Sequence, residues 1–109
     1  IHPKSPGHTM VISKVHAATF EELSREAVGQ LFATVQMVST EIKNRLHADA
    51  LTLGVNDGAA SGQAIAHFHV HILPRFRGDR GGSIHSIVEN PSKEPLEELQ
   101  KRLYIKSLN

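Results

Sequence analysis

A chain of 109 residues with 39% apolar content forms one domain large enough for a core. Twelve lysines and arginines against eleven acidic residues give a formal charge of +1. The basic residues are scattered, which argues against a nucleic-acid groove or a membrane-binding face and leaves small anionic ligands open. Without cysteine there is neither a disulfide framework nor a thiolate zinc site, a composition compatible with the cytoplasm. The opening Ile1-His2-Pro3 reads as the middle of a chain, so an N-terminally incomplete domain is expected over 1–109.

From Ile1 to His8, Pro3, Pro6 and Gly7 supply turn chemistry, and Thr9 to Ser13 follows as a short β-rich run. Thr19, with Glu22 three residues on, predicts a capped single turn ending near Leu23. Ser24 caps a longer helix whose apolar residues fall at Val28, Leu31, Phe32, Val35, Val38, Ile42 and Leu46. Those steps of three and four make one stripe, sufficiently explained by packing on the chain's own sheet. Ala50 to Val55 is the next strand, Asn56-Asp57-Gly58 a turn, and the histidine-rich run after Gly62 should pair with that strand as an antiparallel hairpin with a long loop. Arg75 to Gly82, with three glycines, is mobile by composition. Ser92 can cap a last helix with Pro95 in its first turn and Leu96, Leu99 and Leu103 on its buried side.

The run His67-Phe68-His69-Val70-His71-Ile72-Leu73-Pro74 carries the chemistry. On a strand, successive side chains point to opposite faces, so His67, His69 and His71 share one while Phe68, Val70 and Ile72 bury the other. Three crowded imidazoles cannot all be protonated at neutral pH, because each positive charge disfavours the next. At least one remains a free base, available as a nucleophile, a general base or a metal ligand.

Asn56 to Arg75, with Pro6-Gly7-His8 and the strand after it, resembles the histidine triad (HIT) superfamily of nucleotide hydrolases and transferases. The resemblance implies an α+β fold, an antiparallel sheet with one long packed helix, here lacking the strand and helix that precede it in relatives. It makes His69 the nucleophile that takes a nucleotidyl group and later yields it to water. His71 is implied as the donor to phosphate oxygens, with His67 and His8 tuning orientation and proton balance. Gln63 and Asn56 match positions that contact phosphate or the leaving group, and Ile1 a position touching the base.

Arg75 to Arg80 resembles a stretch of the dinucleoside polyphosphate hydrolase branch, with Arg75 among three guanidinium groups that attract a polyphosphate tail. Ala64 stands where phosphoramidase relatives carry a serine that protonates the leaving group. Dinucleoside polyphosphates are therefore the expected substrates, hydrolysed at a phosphoanhydride bond in preference to a phosphoramidate. His85 falls near a tyrosine position of that branch, and His71 favours water over phosphate as acceptor. No cofactor is expected to be required, with a divalent metal ion possible beside a polyphosphate. A homodimer, without nucleic acid or membrane partners, is also implied.

Two other readings stay open. Alternating histidines on a strand can chelate zinc, giving a metal-binding or metallohydrolase module, although the strand holds no carboxylate. A nucleotide-sensing binding protein would keep the same site.

Overall fold

Apolar residues at every second position from Phe68 to Pro74 make the central strand of the molecule, in a computed structural model that describes residues 2–108. Three strands, β1 (Thr9–Ile12), β2 (Ala50–Gly54) and β3 (His69–Arg75), form a sheet in the order β1-β3-β2 with both pairings antiparallel. In register, Met10 faces His71, Val11 faces Val70, and Gly54 and Thr52 face His71 and Leu73. The expected hairpin between β2 and β3 is thus present, with β1 added on the far side.

The long helix α1 (Arg25–Leu46) begins where the Ser24 hydroxyl accepts from the Ala27 amide at 3.1 Å. It ends at His47 in the left-handed conformation, while the next amide, Ala48, bonds Lys43 O. Leu31 and Val35 pack on Phe68, Val70, Ile72 and Val11 to form the core. Each large apolar side chain buried there contributes about 1.5–3 kcal/mol. The stripe is not uniformly covered: Phe32 and Leu46 are 39% and 42% exposed.

Several local expectations change. The single turn at Phe20–Glu22 is present, but the Thr19 hydroxyl is buried without a partner. Asp57 Oδ1 accepts from the Phe20 amide at 2.9 Å instead, and Glu22 reaches the Ala18 amide. Regular pairing of β3 starts at His69 and not at His67. Pro74 lies inside the strand, where it is tolerated because β1 covers only residues 69–72 and leaves the later part of β3 with one neighbour.

The glycine-bearing segment after Arg75 is pinned. Asp79 accepts from the amides of Phe76 and Gly81 as well as from Arg75. The last helix, α2 (Leu96–Leu103), starts after Pro95, while Ser92 bonds Glu94. Its leucines are not a buried side, since Leu96 and Leu103 are 78% and 71% exposed. No helix among the described residues is long and apolar enough to cross a membrane.

Candidate active site

The pleat of β3 sends Val70 and Ile72 toward α1 and turns His69 and His71 to the opposite face. There they line a cavity of about 380 Å³ together with His8, Met10, Asn56, Ala64, Ile65 and Leu73, among others. His69 is 6% exposed, at the cavity and not in the apolar core. Met10 and Leu73 come with it by register.

His8 arrives from a turn before β1. Gly7 has φ +82, a conformation that L side chains rarely adopt, and a Cβ there would strike Leu46 Cδ1 and press on Pro74 at 3.2 Å. The glycine therefore lets the chain pass between α1 and β3 and swing the next residue over the sheet.

Hydrogen-bond partners fix the tautomers. The Lys4 amide can only donate, so His8 Nδ1 accepts it at 3.2 Å and the His8 proton lies on Nε2. That proton is given to His71 Nδ1 at 2.9 Å, which places the proton of His71 on its Nε2. His69 Nδ1 lies 2.8 Å from the carbonyl of His67 and must donate to it. In the neutral ring the Nε2 of His69 then carries the lone pair. Its ring stands edge-on to His71 with centroids 4.9 Å apart.

Burial lowers the pKa of His71, helped by neighbouring His69 and His8; burial followed by the Lys4 charge lowers that of His8. Both rings are therefore neutral at pH 7, as the relay of single protons requires. The cluster combines a bare ring nitrogen with a ring N–H donor on one wall.

The other sequence-predicted residues divide. His67 does not line the cavity: its Nε2–H donates to Ser13 O at 2.7 Å, its ring meets His16 edge-on, and its backbone carbonyl orients His69. Asn56 lines the cavity. Gln63 does not offer its amide there. Both of its N–H bonds are spent on Ala18 O and Ile65 O, and its oxygen accepts from the Gly58 amide at 2.8 Å.

Arg75 is also committed, because its guanidinium forks onto Asp79 at 2.8 and 3.2 Å and donates to Thr52 and Gly82 O. That fork holds the Asp79 carboxyl well below the usual carboxylate range. Ile1 lies outside the described residues. Lys4, which lines the cavity and sets the His8 tautomer, was missed; only its place four residues before His8 hinted at it. Among the described residues no three His, Asp or Glu side chains are grouped to hold a metal ion.

A three-stranded antiparallel sheet, one long helix and histidines displayed from the central strand define a class. The HIT domain family model matches residues 1–78, and the chain belongs to that family. It is 40% identical over 78 residues to adenylylsulfatase HINT3 of Arabidopsis thaliana, covering 72% of this chain and 40% of that protein. It is 30% identical over 105 residues to a bis(5'-adenosyl)-triphosphatase of Dictyostelium discoideum, covering 93% and 70%. The solved structure of a HIT family protein from Bacillus anthracis superposes with a TM-score of 0.75 at 29% identity, covering 91% of this chain and 70% of that one. The chain spans about half the length of several curated relatives it matches.

Proposed function

We propose that this chain is the catalytic part of a nucleotide hydrolase that works through a nucleotidyl-histidine. The observation that carries the reading is the hydrogen bond from His69 Nδ1 to His67 O, which in the neutral ring puts the lone pair on Nε2, in a cavity beside the His71 N–H. The lone pair attacks the α-phosphorus, a P–N bond forms, and the P–O bond to the leaving group breaks with its electron pair. His71 Nε2–H donates to a non-bridging oxygen as charge accumulates on it. Water then attacks the same phosphorus, the P–N pair returns to Nε2, and the proton of the water is released to solvent.

The cavity lining includes no carboxyl and no hydroxyl among the described residues, and Ala64 stands at the wall. With no serine or carboxylic acid on that wall to protonate it, an amine leaving group is disfavoured against sulfate or a polyphosphate, which depart as oxyanions. Names of the relatives, an adenylylsulfatase and a bis(5'-adenosyl)-triphosphatase, support oxyanion leaving groups. We hold dinucleoside polyphosphates as the preferred substrates, with no cofactor required and a divalent ion accompanying the phosphate chain. A homodimer remains part of the proposal, and the exposed Phe32 and Met37 on α1 would be covered by it.

The test is to mix the protein with diadenosine triphosphate, adenylyl sulfate and adenosine phosphoramidate, quench, and weigh the peptide that contains His69. An adenylyl increment on that peptide is expected. His69→Ala should lose about 10⁴-fold or more in kcat with KM little changed. Turnover near the wild-type level in that variant would refute the reading.

A further inference from the structure

Beyond the end of β1, the main-chain carbonyl of Pro74 has no strand opposite it. The Asp49 amide donates to Arg75 O at 2.9 Å, so the Arg75 carbonyl faces β2. Successive carbonyls on a strand alternate in direction, and that of Pro74 therefore faces the side of β1. Pairing there runs only from Thr9, opposite Ile72, to Ile12, opposite His69. Pro74 is fully buried, and a buried carbonyl needs a donor. A side chain supplies it: the Ser5 hydroxyl reaches Pro74 O at 2.7 Å from 69 residues away in sequence.

Ser5 belongs to the turn that delivers His8. The His8 amide donates to Ser5 O at 3.0 Å and the Lys4 amide to His8 Nδ1 at 3.2 Å, so residues 4–8 close on themselves as one unit. Among the described residues, two hydrogen bonds tie that unit to β3, from Ser5 to Pro74 and between His8 Nε2 and His71 Nδ1 at 2.9 Å. The ties are three residues apart on each segment, which on a strand is about 10 Å. Ser5 thus continues the antiparallel run of β1 with a side chain where the backbone has turned away at Gly7.

The two ties differ in kind. A hydroxyl beside a carbonyl can only donate, whereas two neutral imidazoles exchange donor and acceptor roles when a tautomer changes. Only while His71 Nδ1 accepts from His8 is the His71 proton on Nε2, the nitrogen that donates to the phosphate oxygen in the proposed reaction. The second tie therefore depends on the aim of the His8 ring, and the first fixes the turn that aims it.

We propose that Ser5 is a positioning residue for this reaction: fastened to Pro74 O, it holds His8 against His71 and so keeps the His71 proton on Nε2. The inference rests on the proposed hydrolase reading and adds to it a residue outside the histidine cluster.

The experiment uses Ser5→Ala, Ser5→Thr and His8→Asn in the full chain, with diadenosine triphosphate as substrate and nitrogen NMR of isotope-labelled histidine in the free protein. Ser5→Ala should lower kcat about tenfold with KM within about twofold, and His71 should populate both tautomers where the wild type shows Nε2–H alone. Ser5→Thr keeps the hydroxyl and should restore both readouts. Ser5→Val against Ser5→Thr, a pair of the same shape that differs in the hydroxyl, repeats the comparison should alanine loosen the turn. In a His8→Asn background, Ser5→Ala should change kcat by less than about twofold, because a residue that acts through His8 has nothing left to position. A lowered melting temperature with kcat and tautomer unmoved, or the same tenfold loss in the His8→Asn background, would reduce Ser5 to a structural tie and overturn the proposal. Should the wild type cleave no substrate and form no adduct on His69 while Ser5→Ala still shifts the tautomer, the hydrolase reading falls and the hold of Ser5 on His8 stands.

Discussion

His8 Nε2 lies 2.9 Å from His71 Nδ1, so two rings 63 residues apart in sequence share a single proton between them. The pair ties the turn before β1 to the middle of β3, and its chemistry depends on both rings being neutral.

Acid should therefore weaken the fold. The pKa of each ring is lowered from 6.5, by burial first and then by Lys4 for His8 and by His69 and His8 for His71. Between the lowered folded value and 6.5 the unfolded chain binds more protons than the folded one, so stability rises with pH across that window. It is fully present above 6.5 and is lost as pH falls through the folded value. Urea midpoints at about pH 7.5 and about pH 5.5 should differ in that direction, and His8→Asn should shrink the difference. A midpoint that does not fall on acidification would contradict the neutral pair.

Ala64 offers a gain-of-function test. Its methyl lines the cavity, and no hydroxyl stands there to protonate an amine leaving group. Ala64→Ser should speed hydrolysis of adenosine phosphoramidate by about 10²-fold or more, the scale of general acid catalysis, and change diadenosine triphosphate hydrolysis far less. Equal changes for both substrates would show that leaving-group protonation is not what this wall lacks.

Gln63 is read as a brace. Its three hydrogen bonds join Gly58, Ala18 and Ile65. Gln63→Glu removes both N–H donors and sets a carboxylate against two carbonyls. A loss of about 1–3 kcal/mol in unfolding free energy is expected, together with faster amide exchange at Gly58. If stability were untouched and only KM rose, the side chain would be a direct substrate contact after all.

Gly7→Ala is expected to cost about 1–3 kcal/mol, because φ +82 strains an alanine and its methyl meets Leu46 and Pro74. Circular dichroism melting would register the loss, and kcat should fall as His8 is displaced. An alanine variant with unchanged melting and kcat would mean that the passage between α1 and β3 is roomier than it is here.

Much of this architecture is legible in the sequence, since α1 and β3 announce themselves by period and Ser24 marks where α1 starts, although β3 pairs regularly only from His69 and runs through Pro74. The orientation of His69 also follows, because a strand fixes which side chains share a face. Gln63, Arg75 and Thr19 have partners that local pattern does not show, for one physical reason: a polar side chain bonds whatever the fold brings near, and those partners are remote in sequence. Gln63 finds Ala18, Arg75 finds Thr52, and Asp57 takes the capping place offered to Thr19. Local pattern reports the capacity to bond, while long-range packing chooses the partner.

The His8 tautomer is set by a main-chain amide, and no carboxylate takes part in the relay to His71. Lys4 is the one lysine or arginine among the residues that line the cavity, and the paired rings of His8 and His71 present dipoles to it. Under the proposed hydrolysis, such a distribution would draw a nucleotide inward without retaining the spent monophosphate as a buried lysine or arginine would.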